Sequence, residues 1–257
     1  HDSCHRRSAA RPAARLRCYP APSGLPPAAM SYAIPAAAPP TLPVAGTPLR
    51  FPVRRIYCIG RNYAEHAREM GAAVERAQPM FFMKPADAIV ADDADIAYPP
   101  ATSDLHHEVE MVVALAAGGR DIPPARALES VFGYAVGLDL TRRDLQAAAK
   151  AKGHPWDAAK GFDHSAPMSA LHPVATIGHP RGAMLSLTVN GQLRQQADID
   201  TMIFPVPAII HELSRLWELA AGDLIFTGTP AGVAALQRGD RVRAQLGGFA
   251  VLDCHIV

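Results

Sequence analysis

From Phe51 to the carboxy terminus, apolar and polar positions come in short runs, and most of these runs read as strands. "RRIYCIG" is a β-rich strand closed by Gly60, and "NYAEHAREMG" follows as a short helix with Asn62 as N-cap and Gly71 as stop. "PMFFMKPADAIV" supplies a pair of strands, "EVEMVVALAAGG" a buried strand ending at Gly118-Gly119, and "FGYAVGLDLT" another. "DIPPARALESV" has prolines at its first turn, and "RRDLQAAAKAKG" is a helix stopped by Gly153. "GAMLSLTVNGQLRQQA" alternates around Asn190-Gly191, the strongest hairpin signal in the chain. "PVPAIIHELSRLWEL" reads as a helix, and "DLIFTGTP", "DRVRAQLG" and "AVLDCHIV" as closing strands. There is no internal repeat and no regular βα alternation. The order predicts an α+β protein built on a folded-over mixed sheet.

One strand is chemically out of place. "SDLHHEVEMVVAL" ends as an apolar run but opens with two histidines and two glutamates. Side chains alternate faces along a strand, so Glu108 and Glu110 project together while Val109 and Met111 go to the other side. Two adjacent carboxylates entering a core repel, and burial strengthens the repulsion. The pair needs a shared proton or a cation. Asp139, at the end of the apolar strand "GYAVGLD", is a third carboxylate of this kind. Three carboxylates at strand ends make an all-oxygen site suited to Mg²⁺, Mn²⁺ or Ca²⁺ rather than Zn²⁺. Taken alone, Glu-x-Glu also describes a solvated strand edge, and His106 and His107 beside it read as ligands, outer-sphere groups or surface residues.

Composition removes whole classes of function. Hydrophobic residues make up 49% of the 257-residue chain and charged residues 19%, as in a soluble globular protein. A formal net charge of +1 (Lys+Arg 25, Asp+Glu 24) gives no sign of nucleic-acid or anionic-membrane binding. No apolar stretch is long enough to span a bilayer. Cys4, Cys18, Cys58 and Cys254 are scattered without CxxC spacing, which favours a reducing, cytoplasmic setting. Residues 1–29 are rich in Arg, Ala and Pro, with Asp2 their only acid. They read as a transit peptide or, preferably, as sequence upstream of a natural start at Met30. Residues 30–50 read as a Pro/Ala-rich arm, leaving 51–257 as the catalytic domain.

Further candidates stand one helical turn apart. Glu69 follows His66 at i+3, close enough to orient the imidazole and leave its other nitrogen free as a base. The same spacing describes an ordinary surface pair. In "DLTRRDLQ", Asp139, Arg143 and Gln146 share a helical spacing, either a face turned to a metal or a solvated one. Lys160 in "HPWDAAKGF" and Thr229 in "FTGTPAGV" are a lysine and a turn threonine until something brings them to the others.

In order, "IYCIGRNYAEHAREMG", "FFMKPADAIV", "DLHHEVEMVVAL", "GYAVGLDLTRRDLQ", "GHPWDAAKGFDHSAPM", "LTVNGQLRQQA" and "GDLIFTGTPAGV" resemble the signature blocks of the fumarylacetoacetate hydrolase family. The resemblance covers about residues 51–257 and is greatest to the small, single-domain acylpyruvases, including bacterial fumarylpyruvate hydrolases. It implies a mixed β-sandwich roll, a homodimer, and one divalent ion per chain, Mg²⁺ or else Mn²⁺ or Ca²⁺. It implies Glu108, Glu110 and Asp139 as metal ligands, and a water or substrate oxygen where larger relatives use an additional aspartate. His66, Glu69 and Lys160 are the implied catalytic groups, and Arg143, Gln146 and Thr229 the implied substrate contacts. The implied activity is hydrolysis of the C–C bond of a 2,4-diketo acid, with His66 activating water. Oxaloacetate decarboxylation, or isomerisation or dehydration of a 2-oxo acid, would use the same metal-enolate site. A non-enzymatic metal-binding or scaffold role would be signalled by loss of a carboxylate or of the His-Glu pair, and none is lost.

Overall fold

A computed structural model describes residues 33–257 apart from 72, 75, 76 and 92, so the reading of residues 1–29 lies outside the described residues. The compact unit runs from Pro39 to Val257. It therefore begins within the stretch expected to be an extended arm. Thr41–Pro43 pairs antiparallel with Arg50–Pro52, and Leu42 and Phe51 bury their side chains in the core.

The main strands are β1 (Arg55–Gly60), β2 (Met80–Lys84), β3 (Val109–Leu115), β4 (Val131–Leu138), β5 (His172–Pro173), β6 (Met184–Val189), β7 (Gln192–Asp198), β8 (Asp223–Phe226), β9 (Arg241–Leu246) and β10 (Ala250–His255). The helices that matter for the site are α1 (Ala64–Glu69), α2 (Arg143–Lys152) and α3 (Asp157–Lys160), and α4 (Val206–Leu216) packs against the core. Six strands form one mixed sheet in the order β5-β4-β3-β8-β1-β2, with β8 parallel to β1 and the other neighbours antiparallel. Four strands form a second, antiparallel sheet in the order β7-β6-β9-β10.

Both faces of the six-stranded sheet are covered, which is why β3 has no exposed position. Val109, Met111, Val113 and Leu115 belong to the larger apolar cluster with Leu185, Leu187, Leu246 and Ile209 of the opposite layer. Val112 and Ala114 join Cys58, Leu224 and Phe226 on the other face. Period-two alternation therefore survives with both sets buried. Asn190 and Gly191 take positive φ values of 52° and 77°, as a two-residue hairpin turn demands, and connect β6 to β7. Gly153 ends α2 in the left-handed region at φ 66°.

Two local expectations are corrected. Asn62 does not cap α1; Tyr63 holds that position, and the buried Asn62 side chain instead donates to the Phe204 and Thr227 carbonyls and accepts from the Phe204 N–H. A side chain able to satisfy three backbone groups outcompetes a single cap bond. The "PMFFMKPADAIV" stretch does give two strands, but they do not pair: β2 joins β1, while Ile89–Val90 pairs in parallel with Ala166–Pro167.

Candidate active site and metal centre

The three carboxylates come from neighbouring strands of one sheet. Val109 on β3 pairs with Leu138 on β4, and the Asp139 N–H donates to the Glu108 carbonyl at 2.8 Å, extending the ladder by one step. This register puts the strand-end residues side by side. One oxygen each from Glu108, Glu110 and Asp139 lies within 4.8 Å of the others, and all three residues are buried. Asp139 precedes α2 rather than lying on it, so the helical spacing read through Asp139, Arg143 and Gln146 holds only for the last two.

Three cations meet these carboxylates. Lys160 Nζ, at the end of α3, donates to Glu108 Oε2 and Asp139 Oδ2, each at 2.7 Å. Arg143 donates to Glu108 Oε1 and to Gln146 Oε1, each at 2.6 Å. Lys84, at the end of β2, had no signal of its own in the sequence. Its buried Nζ lies 2.8 Å from Asp139 Oδ1 and donates to the carbonyls of Leu140 and Lys160.

The electrostatics split the carboxylates. Burial alone would raise Glu108, but Lys160 and Arg143 hold its carboxyl far below the usual range. Glu110 is pushed well upward by burial and then by the charges of Asp139 and Glu108; its Oε2 accepts the Gly228 N–H at 2.6 Å. Burial disfavours the Lys160 ammonium, yet Asp139 and Glu108 outweigh it and raise the group to about 12.

His66 is buried on α1, with Nδ1 3.2 Å from Glu69 Oε2. Glu69 also accepts the Gly232 N–H on both oxygens, at 3.1 and 3.2 Å, so a loop distant in sequence fixes the carboxylate that fixes the imidazole. His66, the three carboxylates, Arg143, Gln146, Lys160 and Thr229 all line one cavity. Arg61 and Lys150 line it too. The sequence also gave no hint of Gln195, a buried β7 residue that donates to Thr229 Oγ1 at 2.8 Å. Its position between the exposed polar residues Arg194 and Gln196 hides it. His106 pairs with Asp104, and His107 with Gln195, so neither histidine joins the carboxylates.

The residues present fit a divalent cation. The donors are all carboxylate oxygens, and Asp139 Oδ1 is buried without receiving a hydrogen bond, although the Lys84 ammonium is near. A cation would also offset the mutual repulsion of the three carboxylates.

A mixed-sheet core with an acidic triad beside a His-Glu pair defines a member of the fumarylacetoacetate hydrolase family: residues 55–257 match the model described as "Fumarylacetoacetate (FAA) hydrolase C-terminal", and the chain belongs to that family. Among solved structures, it is similar to fumarylpyruvate hydrolase from Pseudomonas aeruginosa in complex with Mn²⁺ and pyruvate, at 49% identity and a TM-score of 0.86, covering 88% of this chain and 99% of that one. Among curated proteins, it is 43% identical to the human mitochondrial oxaloacetate tautomerase FAHD1 over 203 residues, 79% of this chain and 91% of the relative. It is 40% identical to the Escherichia coli oxaloacetate tautomerase YcgM over 207 residues, 80% and 94% respectively. Among the described residues, no helix is long and apolar enough to cross a membrane.

Proposed function

We propose that the protein is a divalent-metal-dependent hydrolase that cleaves an acylpyruvate, such as fumarylpyruvate, to pyruvate and a carboxylic acid. The observation that carries this reading is the oriented His66–Glu69 pair in the same cavity as the acidic triad. A hydrolase needs an activated water; a decarboxylase, which only stabilises an enolate, does not. The similar fumarylpyruvate hydrolase of known structure adds weight.

Glu108, Glu110 and Asp139 would hold the ion, Mg²⁺ or Mn²⁺, which when bound supplies Lewis acidity at the 2-oxo acid end and offsets negative charge developing on the pyruvate fragment. Glu69 accepts a hydrogen bond from the His66 Nδ1–H and leaves Nε2 as the base. His66 takes a proton from water as its oxygen adds to the C4 carbonyl. Lys160 and the Gln146 amide are donors available to the oxyanion formed there. The C3–C4 bond then breaks, the acyl carbon leaves as a carboxylic acid, and C3 takes up a proton to give pyruvate. Arg143 and Thr229 hold the substrate's oxygens. Arg61 and Lys150 also line the cavity, and their side chains, with no hydrogen-bond or ion-pair partner among the described residues, favour an anionic substrate.

A second reading, oxaloacetate tautomerisation, is supported by the curated relatives of that name. A panel of acetylpyruvate, fumarylpyruvate and oxaloacetate with Mg²⁺ or Mn²⁺ separates the two. Pyruvate release from an acylpyruvate, falling about 10²- to 10⁴-fold in His66→Ala at unchanged metal content, is expected. Enol–keto conversion of oxaloacetate without acylpyruvate cleavage would replace the first reading by the second.

A further inference from the structure

Gln195 sits on β7, in the four-stranded sheet, yet its side chain reaches the loop that follows β8 in the six-stranded one. Both ends of its amide are spoken for. The Val109 N–H, which can only donate, lies 3.1 Å from Oε1, and the Pro230 carbonyl, which can only accept, lies 2.8 Å from Nε2. These two backbone groups leave a single orientation for the amide. His107 must then donate from Nδ1 to the same Oε1, at 2.8 Å. The remaining Nε2 proton goes to Thr229 Oγ1 at 2.8 Å.

The consequence falls on Thr229. Its hydroxyl has one proton and accepts from Gln195, and no described residue accepts that proton. Thr229 is almost fully buried and lines the cavity. We infer that Gln195 is a positioning residue: by donating to Thr229 Oγ1 it obliges the threonine hydroxyl to offer its proton to the cavity, to an anionic oxygen of a 2-oxo acid. The inference rests on the 2-oxo acid reading above. A lone threonine hydroxyl can donate or accept; one that already accepts from an immobilised amide discriminates in favour of acceptors.

The test is a double-mutant cycle on the Mn²⁺-loaded protein. Gln195→Glu keeps acceptors for Val109 and His107 but has no proton to give, so it draws the Thr229 proton away from the cavity. Pyruvate affinity is measured by calorimetry, KM and kcat with an acylpyruvate, and melting temperature and metal content for every variant. Gln195→Glu and Thr229→Val are each expected to weaken pyruvate binding about tenfold, and to raise KM alike. The double variant should be within about twofold of Thr229→Val alone, because the donor that Gln195 positions is already gone. Thr229→Ser should keep affinity within about threefold and remain sensitive to Gln195→Glu. Should Gln195→Glu not fold, Gln195→Met closes the same cycle. Losses that multiply in the double variant would overturn the inference, as would a lowered melting temperature with unchanged pyruvate affinity. Pyruvate binding can be measured even if the wild-type protein cleaves no acylpyruvate, so the inference and the hydrolase reading fail separately.

Discussion

Lys160→Met should trade stability for metal affinity. The ammonium is buried and bridges Glu108 and Asp139 at 2.7 Å each. Unit charges about 4 Å apart attract by about 4 kcal/mol at an effective dielectric of 20, so two partners give about 8 kcal/mol before the desolvation of a buried ammonium is subtracted. Removing one side of such a bridge typically costs about 3–5 kcal/mol. Lys84 still faces Asp139 and Arg143 still faces Glu108, so the lower end applies, about 3 kcal/mol. Urea unfolding in EDTA should show that loss. Adding Mn²⁺ should return about half of it, because a cation no longer competes with the lysine for the same oxygens; that corresponds to roughly tenfold tighter metal binding than in the wild-type protein. Acylpyruvate cleavage should fall sharply even at full occupancy. The reasoning is refuted if Lys160→Met binds metal more weakly than wild type, which would mean that the lysine organises the carboxylates rather than competing for them.

Other perturbations reach the site or the fold from further away. In Gly232→Ala, a Cβ would fall against the Arg194 carbonyl at a φ of 97° that only glycine adopts easily, so the loop must shift and release Glu69; kcat for acylpyruvate cleavage should drop at unchanged metal content, and an unaltered kcat would remove the Gly232–Glu69 contact from the account. Burial lowers the His172 pKa below its ordinary 6.5. The unfolded chain therefore binds this proton first, and stability present above about pH 6.5 is lost as the pH falls through that value; the urea midpoint should decline from pH 7 to 5, less steeply in His172→Gln. Burial also pushes the Cys254 thiol up to about 12 and the Cys58 thiol well up, so peptide mapping after alkylation of the native protein at pH 8 should find neither modified, and both modified in urea.

What the sequence disclosed, and what it hid, divides by distance along the chain. The Asn190-Gly191 hairpin and the Gly153 stop are set by backbone preferences of one or two residues, and they appear where expected. Glu108, Glu110 and Asp139 stood out because a carboxylate in an apolar strand is a local contradiction. The family and fold were legible from seven blocks in order. Lys84 was not, because a lysine ending a strand before a proline looks like a solvated terminus; its partner Asp139 lies 55 positions later. Gln195 sits among exposed polar residues, and only the packing of β7 against the Thr229 loop gives it a role. Asn62 shows the opposite error, a plausible local cap overridden by three backbone groups of two residues, Phe204 and Thr227, both more than 140 positions away.

The Gln195 bridge gives the molecule a predictable response to heat. Thr229 hangs from one sheet and the amide that steers it from the other. Sliding of the two layers by even an ångström would break a 2.8 Å contact while leaving each sheet's own ladder intact. On warming, substrate affinity should therefore weaken several degrees before cooperative melting, and a graft that tightens the packing between β7 and the Thr229 loop should delay thermal inactivation without moving the catalytic groups.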